Sequence, residues 1–197
     1  MSVDFWSGEA GNAYSARNMP DVKARKMMWC RILNHIDPPR NILEVGANVG
    51  QNLAALKALC LADLFAVEPN AEARDKLIKS GVTLPDYIYD GTTEALPFID
   101  SKFDLVFTSG VLIHIAPEKL RDACAEIYRV SSRYIVCAEY FSAKPEMIPY
   151  RGQDNLLWKR DFGQFWIENF NVEPLACEFE WKCLTGLDNL TWWVLEK

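Results

Sequence analysis

A carboxylate and two glycines, in the order Glu44, Gly46 and Gly50, form the stretch best suited to hold a small ligand. They stand where a short apolar run ends and a helical pattern begins. Glycine lets a ligand approach the backbone closely, because it has no Cβ and tolerates a positive φ. The dinucleotide fingerprint G-x-G-x-x-G would need two further glycines, but Asn48 and Gln51 occupy those positions. The pattern therefore favours a cationic or hydroxyl-bearing ligand over a pyrophosphate, with an ordinary strand-to-helix turn as the alternative.

A second acid, Glu68, comes 18 residues after Gly50 and directly before Pro69. It ends the next apolar run, and in a doubly wound sheet an acid at that place accepts hydrogen bonds from ribose hydroxyls. The alternative is a carboxylate favoured by the dipole of the helix that Asn70 would cap. Both interpretations can hold together, since Glu68 precedes the capping residue.

A histidine, His114, follows the apolar run at residues 103–108. An imidazole ordinarily titrates near neutral pH. Such an imidazole can take the proton of an acceptor molecule as a general base. The alternative is a histidine packed between strand and helix, where it only anchors the loop. Group transfer does not require a base, because alignment alone can supply about 7–11 kcal/mol of the barrier.

Strand and helix patterns alternate from residue 41 to residue 140, which predicts a parallel, doubly wound sheet that positions these turns at one edge. The strands are expected at residues 42–45, 64–68, 86–89, 103–108 and 134–138. The helices are expected from Asp21 to about Ile36, after Gly50, from Asn70 to a C-terminal Gly81, and from Pro117 to Val130. Two further strand patterns, at 172–181 and 190–195, are joined by a short loop and are therefore expected to be antiparallel.

Two segments fall outside this alternation. Residues 1–20 are polar, aromatic and irregular, and we expect Tyr14 and Arg17 to close over a bound ligand. Residues 140–170 carry eight aromatics among charged side chains, which suits a ringed polar acceptor such as a sugar. Four of those aromatics have helical spacing and are expected to pack against the core, namely Phe162, Phe165, Trp166 and Phe170.

The composition fits one domain, residues 1–197, with a lid and helix at 1–38 and an acceptor-binding insertion at 140–171. A net charge of −6 without a Lys/Arg run argues against nucleic acid as a partner. No apolar run approaches the roughly 18 residues of a membrane span, and the N-terminus lacks a signal-peptide pattern. Six cysteines without C-x-x-C spacing predict a reduced, cytoplasmic protein without a metal site. The oligomeric state is not predicted.

The glycine turn resembles the E/D-x-G-x-G-x-G motif of class I S-adenosylmethionine (SAM) methyltransferases, with Asn48 at the middle glycine. That resemblance implies a seven-stranded, mostly parallel, Rossmann-like sheet with a C-terminal antiparallel hairpin. It also implies S-adenosyl-L-methionine as cofactor. The methionine end would lie against Glu44, Gly46, Asn48 and Gly50, and the ribose against Glu68 and Pro69.

Two later segments extend the resemblance. Gly91-Thr92-Thr93-Glu94-Ala95-Leu96-Pro97-Phe98 is similar to G-D-A-x-x-L-P-F, which frames the adenine in that family. Either Thr92, at the usual Asp position, or the preceding Asp90 would meet the adenine amino group. Residues 103–115 are similar to F-D-L-V followed by V-L-x-H-I, which would place Ser109 and Gly110 beside the methionine and His114 toward the acceptor.

A narrower resemblance covers most of the chain. Residues 5–18, 108–115 and 157–163 are similar to the pseudaminic acid biosynthesis-associated methylases. This implies methylation of an O or N atom of a small polar molecule in a nonulosonic acid or nucleotide-sugar pathway. Three rival hypotheses are a nicotinamide-dependent oxidoreductase, a non-catalytic SAM-binding partner protein, and an RNA or protein methyltransferase. The first conflicts with the missing glycines and the third with the acidic net charge.

Overall fold

Seven strands form one twisted sheet in the computed structural model, which describes residues 2–17 and 22–197 and, for residues 2–4 and 17, the backbone alone. The strands along the chain are β1 (Asn41–Val45), β2 (Asp63–Val67), β3 (Ile88–Tyr89), β4 (Phe103–Ser109), β5 (Ser131–Glu139), β6 (Glu146–Met147), β7 (Trp158–Lys159), β8 (Glu173–Glu180) and β9 (Leu190–Glu196). The order in the main sheet is β3-β2-β1-β4-β5-β9-β8, while β6 and β7 form a separate ribbon.

The first five strands pair in parallel, and β9 pairs antiparallel with both β5 and β8. This confirms the predicted seven-stranded methyltransferase-like sheet with its C-terminal antiparallel hairpin. The chain passes from β1 outward to β2 and β3, then returns to place β4 on the other side of β1. That reversal opens a crevice at the carboxyl end of β1, where ligands bind in sheets of this kind.

Helices cover both faces of the sheet. They are α1 (Ser2–Ser7), α2 (Glu9–Arg17), α3 (Val22–Leu33), α4 (Gln51–Lys57), α5 (Ala71–Ser80), α6 (Pro117–Val130), α7 (Phe162–Asn169) and α8 (Lys182–Thr185), with 3-10 turns at Pro85–Tyr87 and Leu112–His114. As predicted, the Asn70 side chain caps α5 by accepting from Ala73 N, and Gly81 ends it at a φ of 65°. No helix within residues 2–17 and 22–197 is long and apolar enough to cross a membrane.

Successive residues of β1 point to opposite faces, so each face has its own apolar core. Leu43 and Val45 pack on the side of α6 and α7, whereas Ile42 packs on the side of α3, α4 and α5. Phe162 and Trp166 are almost fully buried, and Phe165 and Phe170 pack beside them, which confirms the predicted packing helix.

Two expectations about local structure are wrong. The N-terminal segment is not irregular, because α1 and α2 cover most of it; both are short, and their support comes from tertiary contacts with distant residues rather than from a sequence period. The third strand is only two residues long, since Pro85 begins a 3-10 turn that takes up Asp86 and Tyr87. The expected helix start at Asp21 lies outside the described residues; α3 ends at Leu33, before Ile36.

Candidate active site

The main cleft lies at the carboxyl ends of β1, β2 and β4 and encloses about 1050 Å³, including the open solvent at its mouth. Its floor comes from the β1–α4 turn, one wall from the loop after β4, and its cover from α1 and α2. The placement follows from the topology, because β1 is the strand at which the order of the sheet reverses.

The glycine turn after β1 is built from three left-handed residues. Gly46, Asn48 and Gly50 have φ values of 78°, 48° and 77°. A Cβ on Gly46 would come within 2.5 Å of Val111 in the loop after β4, so glycine lets the two loops meet. A Cβ on Gly50 would come within 2.2 Å of Leu77, which makes this second glycine a packing requirement of α5. Gly50 therefore shapes the turn without lining the cleft.

A buried network fills the cleft floor beneath the turn. The Asn52 amide donates to Glu44 Oε1 at 2.7 Å, and its oxygen accepts from Arg25 at 2.7 Å and from Trp29 Nε1 at 3.2 Å. Burial raises the pKa of Glu44 to about 8, although Asn52 and Arg25 oppose that shift. Burial likewise lowers the pKa of Arg25.

Two polar atoms of this network have no partner among the described residues. They are Glu44 Oε2, an acceptor, and Arg25 Nε, a donor, and both are buried. Both side chains line the cleft. A buried polar group without a partner is costly, so the pair points to a ligand that supplies a cationic donor to one and an acceptor to the other.

Glu68 directly follows β2 at the side of the cleft and is itself buried. Its two carboxylate oxygens accept from the backbone N–H groups of Asn48, at 2.8 Å, and Asn70, at 2.9 Å. Burial raises its pKa, and these two hydrogen bonds oppose the rise. Each carboxylate oxygen keeps further lone pairs for a ligand hydroxyl.

The segment after β3 borders the cleft through Gly91, Thr92 and Thr93. The neighbouring Asp90 turns outward instead, where its exposed carboxylate pairs with Arg74 at 2.9 Å. Of the two side chains considered for the adenine amino group, Thr92 is therefore the one on the cleft wall.

The cover of the cleft is held by Asn70, the residue that caps α5. Asn70 uses its amide to donate to the carbonyls of Trp6 and Gly8 and to the side-chain oxygen of Asn12. Trp6 and Tyr14 line the cleft from the cover and meet edge to face at 5.4 Å between ring centroids. The Trp6 indole N–H is buried without a partner in the described part of the chain. The side chain of Arg17 lies outside the described residues.

His114 lines the cleft at the end of the loop after β4. Its Nδ1–H donates to the backbone carbonyl of Leu156 at 2.6 Å, which leaves the lone pair on Nε2. Burial lowers the pKa of this imidazole to about 4. The ring packs 4.4 Å from Trp6 and 5.4 Å from Tyr150, measured between centroids, so the neutral form is enclosed by aromatic faces.

The loop that carries Ser109, Gly110 and His114 is fixed by one buried carboxylate. Glu139, at the end of β5, accepts from the Thr108 hydroxyl at 2.9 Å and from three consecutive backbone N–H groups, those of residues 111–113, at 3.2 to 3.4 Å. Burial raises its pKa to about 7, and these donors oppose the rise. Glu139 thus positions the loop without reaching the cleft itself.

Most residues proposed from the sequence meet at this one cleft, namely Tyr14, Glu44, Gly46, Asn48, Glu68, Pro69, Gly91, Thr92, Ser109, Gly110 and His114. Gly50 and Asp90 do not line it. Sequence reasoning missed Trp6, Ser15, Arg25, Asn52 and the positioning residue Glu139. A signal for Glu139 existed, because it follows an apolar strand as Glu68 does.

Comparison with known proteins agrees with this architecture. A family described as a methyltransferase domain matches residues 43–133. A search of curated protein sequences found no significant match.

Several solved structures share the fold at low sequence identity. A Burkholderia thailandensis 1,6-didemethyltoxoflavin-N1-methyltransferase with bound S-adenosylhomocysteine aligns over 100% of this chain and 86% of its own, at 14% identity and a TM-score of 0.74. The magnesium protoporphyrin IX methyltransferase of Synechocystis PCC 6803, also with S-adenosylhomocysteine, aligns over 98% and 97%, at 11% identity and a TM-score of 0.73. The 4+2 cyclase SpnF aligns over 87% and 80%, at 12% identity and a TM-score of 0.65. The fold alone therefore does not fix the reaction.

Proposed function

We propose that this chain, whose residues 43–133 match a methyltransferase domain family, transfers the methyl group of SAM to an oxygen or nitrogen atom of a small polar molecule. The fold does not determine which molecule accepts the methyl group, because proteins that share this fold catalyse different reactions.

The unpartnered pair at the cleft floor is the observation that carries the cofactor assignment. Glu44 Oε2 lacks a donor and Arg25 Nε lacks an acceptor among the described residues, and Asn52 bridges the two side chains. An α-amino acid carries an ammonium and a carboxylate on one carbon, which is the complementary pair. The methionine end of SAM has this zwitterion, whereas the nicotinamide dinucleotides end in no such group.

The rest of SAM is assigned along the cleft from the same side chains. Glu68 would accept from the ribose hydroxyls, and the Gly91–Thr92 backbone with Pro69 would border the adenine. Asn48, Gly46, Ser109 and Gly110 would lie along the methionine, and Tyr14 would close from the cover. Gly50 acts through the shape of the turn, and Asp90 acts only through its ion pair with Arg74.

When bound, SAM supplies a methyl group on a sulfonium, which an acceptor lone pair can attack directly. The chain's part is to align the acceptor, exclude water and receive a proton. His114 presents an unprotonated Nε2 at the cleft, with Nδ1–H committed to Leu156 O. An imidazole whose pKa is about 4 accepts a hydrogen bond from the acceptor at neutral pH and is only a weak proton acceptor. We therefore assign alignment the larger share of the rate.

The acceptor end of the cleft supports a small ringed molecule. Trp6 and His114 line it, Tyr150 stands behind them, and Val111 and Ile115 add apolar surface. Residues 140–171, the proposed acceptor-binding insertion, supply Tyr150 and the Leu156 carbonyl. The resemblance of residues 5–18, 108–115 and 157–163 to pseudaminic acid biosynthesis-associated methylases supports a nonulosonic acid or a nucleotide sugar as the proposed acceptor.

The test is product discovery. The purified protein is incubated with metabolite extract and SAM labelled on its methyl carbon, and mass spectrometry seeks small molecules that gain one labelled methyl group. A variant with Glu68 changed to Gln serves as the control for labelling by the extract itself. Calorimetry with SAM and NAD accompanies it. Binding of NAD without SAM would support an oxidoreductase, and SAM binding without any labelled product would support a non-catalytic partner protein.

A further inference from the structure

Trp6, on helix α1, is the side chain that joins the cover of the cleft to its acceptor end. The centroid of its ring lies 4.4 Å from that of His114 and 6.3 Å from that of Tyr150. Its carbonyl accepts from the Asn70 amide at 3.1 Å. A Cβ on Gly11 would clash with the same carbonyl, so glycine there lets α2 pack against Trp6. The place of the indole is therefore fixed by the surrounding protein.

The indole N–H of Trp6 is buried and has no hydrogen-bond partner in the part of the chain that the structure describes. A buried donor without an acceptor costs stability, so its presence needs a reason. The other such indole among the described residues belongs to Trp166, which is fully buried in the core and does not line the cleft. Trp6 does line the cleft, so a molecule that enters beneath the cover can satisfy its N–H.

His114 supplies the complementary acceptor beside this donor. Its Nδ1–H is committed to the Leu156 carbonyl, which leaves the lone pair of Nε2 for the cleft. Because the two ring centroids are only 4.4 Å apart, one small group at this end meets both rings. A group that satisfies both must accept from the Trp6 N–H and donate to the imidazole. A hydroxyl does both, whereas an ammonium only donates and a carboxylate only accepts.

The charges on the cleft wall also favour an uncharged reacting group. Among the side chains that the structure describes, the charged ones lining the cleft are Arg25, Glu44 and Glu68, all at the end assigned to SAM. An ammonium at the acceptor end would meet no carboxylate from these side chains, and an anion would meet no cation. Burial of an unpaired charge is strongly unfavourable, so a neutral group is the better occupant.

We propose that the methyl acceptor is a hydroxyl oxygen, and that Trp6 is the specificity-determining donor that holds this oxygen together with His114. The inference rests on the proposed function, whose acceptor atom it narrows from oxygen or nitrogen to oxygen. A lone pair of the oxygen forms the new O–CH3 bond while the S–CH3 bond breaks, and the sulfur keeps that electron pair as a neutral thioether. The hydroxyl proton passes to His114 Nε2 and then to water.

The weak basicity of the imidazole fits oxygen chemistry. Burial lowers the pKa of His114 to about 4. An oxygen that has gained a methyl group and still holds its proton is a strongly acidic oxonium, so even a weak base removes that proton. An alkylammonium acceptor has a pKa of about 10, as lysine does, and must lose a proton before its nitrogen can attack. An imidazole of such low pKa does not take that proton.

Indole N–H signals of the protein saturated with S-adenosylhomocysteine test the inference without turnover. The probes are cyclohexanol, cyclohexylamine in its ammonium form and methylcyclohexane, followed by nitrogen-15 NMR. We expect cyclohexanol to move the Trp6 signal downfield and the hydrocarbon to cause no such shift. The ammonium should bind roughly 5- to 150-fold more weakly than the alcohol, because it leaves the Trp6 donor unsatisfied. The Trp166 signal is the internal control and should stay in place.

A pair of matched variants separates the donor from the ring. Trp6→Phe removes the N–H and keeps an aromatic side chain, so it should weaken cyclohexanol binding roughly 2- to 13-fold, the worth of one neutral hydrogen bond. Its affinity for S-adenosylhomocysteine should be unchanged. Trp166→Phe makes the same change in the core and should lower the melting temperature without altering cyclohexanol binding. If Trp6→Phe does not fold, the wild-type signals decide the test alone.

The labelled product identifies the acceptor atom directly. Carbon-13 NMR of the product from the extract experiment distinguishes a methyl ether from an N-methyl group and from a methyl ester, and we expect the ether. An N-methyl or ester product would overturn the inference, as would a Trp6 signal that ignores cyclohexanol or responds equally to all three probes. Failure of S-adenosylhomocysteine to bind, or the absence of any labelled product, would instead contradict the proposed function.

Discussion

Ser15 in α2 donates a hydrogen bond of 2.5 Å to the side-chain oxygen of Asn48, the residue at the middle glycine position of the turn. Asparagine tolerates the left-handed conformation that this position requires, at a φ of 48°. Its backbone N–H is engaged separately by Glu68. The departure from the glycine motif thus gives the cover of the cleft a fixed partner on the cofactor turn.

Ser15→Ala should loosen this cover. Loss of one hydrogen bond is worth about 1 kcal/mol, so the open population should rise by roughly fivefold. Hydrogen exchange of residues 5–16 should quicken by that factor in the free protein and should slow on addition of SAM. Asn48→Gly removes the same partner, and Ser15→Ala should then add nothing further. Additive effects of the two changes would show that the bond does not hold the cover.

SAM binding should release a proton near pH 7. Glu44 has a pKa of about 8 in the free protein, so it is mostly protonated at pH 7, and a ligand ammonium favours its ionised form. Affinity for SAM should therefore fall as the pH decreases from 8.5 to 6.5. Calorimetry in buffers of different ionisation enthalpy measures the released proton. Glu44→Gln should abolish that release, and a wild type that exchanges no proton would remove Glu44 from the ammonium site.

Glu68→Gln should weaken SAM binding by about 1.5–3 kcal/mol, because the amide replaces a charged acceptor that faces the ribose hydroxyls. Asp90→Asn is the matched control, since it makes the same chemical change on the exposed carboxylate paired with Arg74. Dissociation constants from calorimetry and melting temperatures decide the outcome. A Glu68→Gln protein with wild-type affinity would exclude the ribose role, and a large effect at Asp90 would return the adenine contact to that side chain.

His114→Ala should lower kcat more than it lowers SAM affinity. The loss should reach roughly 10²–10⁴-fold if the imidazole takes the proton and should be far smaller if alignment does most of the work. Because the pKa of His114 is about 4, any fall in kcat that is caused by protonation of His114 should occur below pH 5. Profiles of kcat against pH measure the size of the rate loss and the pH at which kcat falls, with the melting temperature as control. Normal turnover with reduced stability would make His114 a structural residue.

Glu139→Gln should remove the fall in kcat that we expect in the wild type as the pH decreases through about 7. The ionised carboxylate accepts the loop's donors and its pKa is raised to about 7, so activity of the wild type should fall as the pH decreases through that value. That fall should persist in His114→Ala and disappear in Glu139→Gln, whose kcat should be low and nearly independent of pH from 6 to 8. A fall near pH 7 that survives in Glu139→Gln would belong to another group.

The sheet and its cofactor edge could be predicted because their signals are local. Apolar runs mark strands, and an acid or glycine directly after the run marks the edge, as at Gly46 and Glu68. The caps of α5 were equally readable, since Asn70 and Gly81 act within the helix they bound.

The cover and the cleft floor could not be predicted, because long-range pairs define them. Ser15 meets Asn48 across 33 residues, and Arg25 meets Asn52 across 27. Helices as short as α1 and α2 have no period of their own that would stand out. Asp90 was a misleading candidate for the same reason: its direction is set by Arg74 on α5.

The bond from His114 to residue 156 reaches a main-chain carbonyl, not a side chain. Any amino acid at position 156 can provide that acceptor, so mutations there need not disturb the tautomer of the imidazole. Because Leu156 is buried, other apolar side chains can be tried at that position while the carbonyl that accepts from His114 is kept. The tautomer of His114 therefore depends on the path of the backbone through Leu156 and far less on the side chain that stands there.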